Sequence, residues 1–219
     1  MHAIYNFVSG PLVWISLAVF AGGSLFRLLS MARLARQRDG VVYSHMEGRF
    51  ALRSILHWIT PFGTENMRKN PMMTLAAFGF HVGAILVPLF LFAHVVLVKE
   101  ALDLGWWTLP DAAADVLTVV VVLCCAYFLV RRIRRPEVRY LTTASDYLIL
   151  GLVAAPFITG FWAMRGWPGY GWMLIAHILS GELMLVMIPF TKLSHMFFFP
   201  FTRGYMGSEF GAVRHARDW

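Results

Sequence analysis

The chain has 219 residues, of which 58% are apolar, 14% charged and 15% aromatic, and its formal net charge is +7. A soluble domain is typically about 45–50% apolar and about 25% charged, so this composition excludes an ordinary soluble domain and a disordered chain. The two cysteines, Cys124 and Cys125, are adjacent within an apolar run, and the sequence has no C-x-x-C motif. A disulfide scaffold is therefore excluded, and nothing in the cysteines indicates a zinc site or an iron–sulfur cluster.

Five long apolar stretches indicate how often the chain crosses a membrane. A helix needs about 20 mainly apolar residues to cross a hydrocarbon core about 30 Å thick. The sequence predicts an all-α bundle of five transmembrane helices, at residues 4–29, 72–98, 112–130, 147–164 and 172–199. The first stretch has no basic leading region, so we expect it to remain as a helix rather than to be cleaved as a signal peptide. Residues 1–219 are predicted to form a single membrane domain.

Basic residues predict the orientation of these helices, because cytoplasmic loops carry an excess of Lys and Arg. The segment 31–71 has seven of them, the segment 131–144 has five and the tail 200–219 has three, whereas the other two loops hold only Lys99 and Arg165. We therefore expect the N-terminus outside, the C-terminus inside and five crossings of the membrane. We interpret the net positive charge as the feature that sets the orientation in the membrane, together with attraction to anionic lipids, and not as a nucleic-acid-binding surface.

The predicted cytoplasmic loop 31–71 contains an amphipathic stretch. From Met46 to Trp58, apolar residues at helical spacing are mixed with Arg. This pattern predicts a short helix on the inner membrane surface. A simple connector and a docking site for a partner protein both fit the stretch.

Histidines inside the predicted helices are the candidate functional residues, since ionisable side chains in a membrane are costly and usually functional. His81 and His94 lie on the second helix, and His177 and His195 on the fifth. Because these helices run in opposite directions, depth pairs His94 with His177 near the outer surface and His81 with His195 near the inner surface. Each pair could supply two axial imidazoles to one haem iron. At about 1.5 Å per residue, the two haems would lie about 20 Å apart along the membrane normal.

The helical phase supports this pairing only in part. On an ideal helix, the 18 residues from His177 to His195 return to the same face, whereas the 13 residues from His81 to His94 leave them about 140° apart. Pro88 lies between the latter two and can change the local phase. Small residues near the histidines either let a flat macrocycle approach the backbone or serve close helix packing; they are Gly79, Gly83 and Gly181. We interpret the other four histidines as surface residues: His2, His45, His57 and His215.

The spacings His81-x12-His94 and His177-x17-His195, with the run PFTKLSHMFFFP from Pro189 to Pro200, resemble the gamma subunit of respiratory nitrate reductase and its relatives. These are dihaem cytochrome b subunits with five helices and an outside N-terminus. The nearest branch, which the ending from Gly207 to Trp219 also resembles, looks like the cytochrome b subunits of membrane redox complexes in sulfate-reducing bacteria. The His81–His94 spacing looks longer than in nitrate reductase itself.

The resemblance implies two haem b groups, menaquinone or its quinol, a cytoplasmic iron–sulfur subunit and a periplasmic multihaem cytochrome c. It implies electron transfer across the membrane as part of an oxidoreductase complex, with no activity expected from the chain alone. Glu182, five residues from His177, is the candidate for quinone binding or proton exchange. Other charged residues near helix ends are weaker candidates, for proton exchange or as partners of haem propionates; they are Arg27, Lys99, Asp115, Asp146, Arg165, Lys192 and Arg203.

Two other classes of protein are open at this point. A small transporter or a proton-conducting protein could use intramembrane histidines, although five helices without visible inverted repeats are unusual for a transporter. A membrane metalloenzyme is disfavoured, because the sequence has no H-E-x-x-H motif and no two histidines within five residues of each other.

Overall fold

The computed structural model describes residues 2–218, and Met1 and Trp219 lie outside this range. Within it, 81% of the chain is helical and no strand is present. The α-helices are α1 (His2–Val8), α2 (Pro11–Arg38), α3 (Val42–His45), α4 (Gly48–Ile59), α5 (Glu65–Lys69), α6 (Pro71–Phe90), α7 (Phe92–Leu102), α8 (Asp111–Arg134), α9 (Pro136–Tyr140), α10 (Ala144–Met164), α11 (Tyr170–Met187) and α12 (His195–Ser208).

Five helices among the described residues are long and apolar enough to cross a membrane, which confirms the predicted all-α class and number of spans. The spans are His2–Arg38, Pro71–Phe90, Asp111–Arg134, Ala144–Met164 and Tyr170–Met187. The predicted surface helix in the loop 31–71 corresponds to α4. The third and fourth helices begin close to their predicted starts, and the fourth starts with a capping box formed by Thr143 and Asp146.

The second span does not continue unbroken to residue 98 as predicted. Helix α6 ends at Phe90 and α7 begins at Phe92, with Leu91 between them in an extended conformation at ψ 131°. Pro88 lies one turn before the second helix begins. A proline inside a helix removes one backbone hydrogen bond and clashes with the carbonyl four residues earlier, so it weakens the helix at this point. The expected kink is therefore an interruption.

The predicted fifth helix, 172–199, is wrong at its C-terminal end. Helix α11 ends at Met187, two residues before Pro189, which cannot continue the backbone hydrogen-bond ladder. A short 3₁₀ turn, Lys192–Ser194, follows, and its Leu193 amide donates a hydrogen bond to the Thr191 hydroxyl. His195 therefore begins a separate helix, α12, and the alignment of His177 with His195 on one continuous helix no longer applies.

The helices divide into two compact units, one formed by the chain up to Thr74 together with the chain from Glu182, and the other by Leu75–Gly181. In the second unit, Val87, Val121, Cys125 and Phe157 form a buried apolar core on helices α6, α8 and α10. In the first unit, α12 packs along α4. A single membrane domain over 1–219 stays a prediction.

Candidate functional site

Two imidazoles lie next to each other, with nearly parallel ring planes, within the second unit. His94 is on α7 and His177 is on α11, and the centroids of their rings are 5.9 Å apart with an angle of 6° between the ring planes. Both side chains are partly buried. A metal ion binds an imidazole nitrogen at about 2.0–2.1 Å, so two rings whose centroids are 5.9 Å apart are close enough for both to bind one ion. This is the predicted outer pair, brought together by the fold.

Both rings are held by proline carbonyls. The Nδ1 atom of His94 lies 2.9 Å from the Pro88 carbonyl oxygen, and the Nδ1 atom of His177 lies 2.8 Å from the Pro156 carbonyl oxygen. Because a carbonyl oxygen can only accept, Nδ1 must donate its hydrogen in each contact. The neutral rings therefore keep their lone pairs on Nε2, which is the arrangement that hydrogen bonds to metal-ligating histidines usually impose.

The interruption at Leu91 explains why the Pro88 carbonyl is available to His94. The last carbonyl groups of a helix have no partner within that helix, and Pro88 lies in the last turn of α6. The angle of about 140° between His81 and His94 was calculated for one ideal helix. It no longer applies, because His81 lies on α6 and His94 on α7.

Gly160 is a site residue that the sequence analysis missed. A Cβ atom added at this position of α10 would lie 2.7 Å from Nδ1 and 2.8 Å from Cε1 of His177, closer than real Cβ contacts come. The absence of a side chain at Gly160 is thus what admits the imidazole against α10. The only feature of the sequence that marks Gly160 is its position one turn after Pro156. This feature does not indicate a site residue until the packing of α11 against α10 is known.

His81 and His195 share one feature with the outer pair. The Nδ1 atom of His81 is 2.7 Å from the Ala77 carbonyl oxygen, and that of His195 is 2.8 Å from the Lys192 carbonyl oxygen. His57 differs, since its Nε2 atom contacts the Gly63 carbonyl oxygen at 2.6 Å. His81 belongs to the second unit and His195 to the first, so their pairing stays a prediction.

The small residues near the histidines have different surroundings. A Cβ atom at Gly83 would meet Val121 and the Leu117 carbonyl oxygen of α8 at 2.5 and 3.1 Å, and one at Gly79 would meet Val120 of the same helix at 3.4 Å. These two glycines therefore serve the packing of α6 on α8. At Gly181 an added Cβ would meet no atom within 4 Å.

Glu182 is buried on α11, with 7% of its surface exposed, and neither carboxylate oxygen has a hydrogen-bond partner among residues 2–218. Buried polar groups are nearly always paired, so an exception needs an explanation. Four weaker candidates have structural partners instead. Arg165 forms an ion pair with Asp115, and Arg203 lies 3.9 Å from the Asp218 carboxylate. The Asp146 carboxylate accepts hydrogen bonds from the Thr143 amide and hydroxyl groups.

The donor set of the candidate site is limited to imidazoles. No group of three or more His, Cys, Asp or Glu side chains arranged to hold a metal ion occurs in the described range 2–218. A site with two imidazoles and no third protein ligand fits a metal ion whose remaining ligands come from a bound group such as a porphyrin. It does not fit a tetrahedral zinc site, which takes three or four protein ligands.

The fold and the paired imidazoles define an all-helical protein with five apolar helices of membrane-spanning length. No family model matches the sequence. A protein from Nitratidesulfovibrio vulgaris strain Hildenborough is 43% identical to the chain over 217 residues, which cover 96% of this chain and 95% of that protein. The chain therefore belongs to the same family as that protein, whose description is the single word "Protein". Membership of the nitrate reductase gamma family stays a prediction.

Proposed function

We propose that the chain is a dihaem b-type cytochrome subunit of a respiratory membrane complex. The observation that carries the proposal is the parallel pair His94 and His177, with both Nδ1–H groups held by proline carbonyls. Two axial imidazoles are a common ligand set of b-type haem, and a bound haem supplies one-electron redox chemistry. The chain's own part is to hold the two rings in one orientation and to exclude water from them.

The second haem is assigned to His81 and His195, an assignment that rests on the resemblance. One structural feature agrees with it, because both rings direct Nδ1 towards a backbone carbonyl as the outer pair does. With one haem held near each surface, the chain would provide a two-step path for electrons across the membrane. We propose an outside N-terminus, an inside C-terminus and a bacterial inner membrane, since the basic segments 31–71, 131–144 and 200–219 then all face the cytoplasm.

The proposed electron route runs between the quinone pool and partner subunits. The partners implied by the resemblance are a cytoplasmic iron–sulfur subunit and a periplasmic multihaem cytochrome c. Glu182 is the candidate group for menaquinone binding or proton exchange, because a buried carboxyl group without a partner in a membrane protein is usually functional. The chain would then act as the electron-transfer part of an oxidoreductase rather than alone.

A reduced-minus-oxidised spectrum with haem quantification tests the proposal, on the wild type and on the separate variants His94→Ala and His177→Ala. We expect two low-spin b haems per chain in the wild type and one in each variant. The remaining haem should have the same α-band and midpoint potential in both variants, since both changes remove the same haem. His57→Ala is the matched control, because its ring uses Nε2 for a backbone contact, and it should keep both haems.

Two results would contradict the proposal. If the two variants lost different haems, the pairing of His94 with His177 would be wrong. If the purified wild type took up no haem, the alternative from the sequence analysis, a transporter or proton-conducting protein that uses intramembrane histidines, would replace it.

A further inference from the structure

Helix α4 has two different apolar faces. The first packs against α12 within the first unit. Ser54 on this face is completely buried. The α12 backbone passes so close to α4 that a Cβ atom added at Gly207 would lie 2.6 Å from the Phe50 carbonyl oxygen. The Glu47 amide, just before α4, donates to the Ser208 hydroxyl at 3.1 Å. This face of α4 therefore belongs to the fold itself.

The second apolar face of α4 is exposed on the surface of the described part of the chain. Leu52, Leu56 and Ile59 are 57%, 50% and 51% exposed, respectively. Their spacing of four and three residues places them in one stripe along the helix. Three large apolar side chains in a continuous exposed stripe are unusual for a surface in contact with water alone, so the stripe indicates an apolar contact.

Positive charge runs along one edge of this stripe. Arg49 and Arg53 are both exposed, and at 100° per residue they follow Leu56 around the helix. Their guanidinium groups lie over the Phe50 ring, at 5.9 and 4.8 Å from its centroid. The sequence of α4, GRFALRSILHWI, contains no Asp or Glu. The exposed half of α4 is thus apolar on one side and purely cationic on the other.

The chain also keeps α4 close to the ends of two apolar spans. Residues 39–47 connect it to Arg38 at the end of α2, and residues 60–70 connect it to Pro71 at the start of α6. The last turns of α2 carry further basic residues, Arg33, Arg36 and Arg38. An apolar stripe beside cationic side chains, tethered at both ends to membrane-spanning helices, matches the chemistry of an anionic lipid surface.

We propose that α4 is an interfacial membrane helix. Leu52, Leu56 and Ile59 insert at the boundary between head groups and acyl chains, and Arg49 and Arg53 bind the phosphates of anionic lipids. With its other face packed on α12, the helix then ties α12 to the bilayer surface. This proposal goes beyond electron transfer and does not depend on the haem ligands.

Spin labels on the full chain in lipid nanodiscs test the proposal. Leu52→Cys and Leu56→Cys place a nitroxide in the stripe, and Ala216→Cys places one at an exposed position between His215 and Arg217. In discs that contain phosphatidylglycerol, we expect labels at 52 and 56 to collide several-fold more often with oxygen than with a water-soluble nickel chelate. The label at 216 should show the reverse preference. The wild type, whose Cys124 and Cys125 are buried, gives the background labelling.

A second comparison tests the role of charge. With the label at position 56, either the double change Arg49→Gln and Arg53→Gln or discs of phosphatidylcholine alone should shift the preference towards the nickel chelate. A label at 56 as open to nickel as the one at 216 would overturn the proposal, because the stripe then faces water. A label shielded from both reagents would also overturn it, because another protein surface or a second copy of the chain then covers the stripe.

Discussion

The histidine site of the second unit and the contact between α4 and α12 in the first unit both depend on a missing side chain. At Gly160 the vacant volume is filled by the imidazole of His177, whereas at Gly207 it is filled by the Ser54 side chain and the Phe50 backbone. In the first case the glycine positions a side chain whose second ring nitrogen can bind a ligand. In the second case it joins two helices. The same residue type therefore serves a site in one unit and packing in the other.

Proline shows the same contrast between the two units. Pro156 lies inside α10 without ending it, and its carbonyl oxygen accepts a hydrogen bond from His177. Pro189 follows the end of α11 and leads into a 3₁₀ turn. In the second unit, the imidazole of His177 on α11 donates a hydrogen bond to the Pro156 carbonyl of α10. The proline therefore takes part directly in the candidate site.

The largest expected effect is at Gly160. Gly160→Ala forces a Cβ atom against the His177 ring, so the ring must leave its hydrogen bond to Pro156. Loss of such a supporting contact typically lowers metal affinity by about 10–100-fold, so we expect the variant to lose the outer haem and keep the inner one. Haem quantification and redox titration measure this. Gly151→Ala on the same helix, where a Cβ meets no atom within 4 Å, should keep both haems.

Gly207→Ala should have the largest effect on the first unit. The added methyl group overlaps Phe50 and Ser54, and overpacking of this kind costs about 1–3 kcal/mol. We expect faster hydrogen exchange of the α4 amides, measured by mass spectrometry. The matched control is Gly204→Ala, whose Cβ would meet that of Ala51 at an ordinary 3.5 Å. Equal exchange in both variants would show that the close approach at Gly207 is not needed.

Asp218 should contribute less to the same contact. Its side chain is 2% exposed, accepts a hydrogen bond of 2.5 Å from the Ser54 hydroxyl and lies beside Arg203, whose guanidinium stacks 4.4 Å from the centroid of Trp58. Asp218→Ala leaves the Ser54 hydroxyl without this partner, at a cost of about 1–3 kcal/mol. Because Arg203 keeps its contact with Trp58, we expect the loss of stability to be at the lower end of this range. The α4 amides should therefore exchange only slightly faster than in the wild type. Arg217→Ala, at an exposed neighbour, should leave α4 exchange unchanged.

The smallest expected effect concerns pH. Burial, together with the negative charges of Glu209 and Asp39, raises the pKa of Tyr205 above its ordinary value of 10.0. The unfolded chain then loses this proton first as pH rises, so the contribution of Tyr205 to stability is complete below pH 10 and is lost through the raised pKa. Exchange of the α12 amides should therefore accelerate above pH 10 in the wild type and less in Tyr205→Phe. Tyr140→Phe, at an exposed position, should behave as the wild type.

Much of this protein was predictable from local sequence. The five apolar spans follow from length and hydropathy, which neighbouring helices do not alter. The match of His94 with His177 followed from depth alone, since two helices that run in opposite directions place residues at equal distances from their ends side by side. The surface helix in the loop 31–71 followed from its amphipathic spacing and is α4 in the structure.

The tertiary structure decided how each proline and glycine is used. The sequence contains Pro88, Pro156 and Pro189 without indicating that one precedes an interruption, one stays within a helix and one follows a helix end. The reason is physical: a proline removes a backbone hydrogen bond in every case, but whether the helix continues depends on which neighbouring groups satisfy the freed carbonyls. Likewise, a glycine provides space locally, and only the packing of a second helix determines whether an imidazole or a backbone fills it.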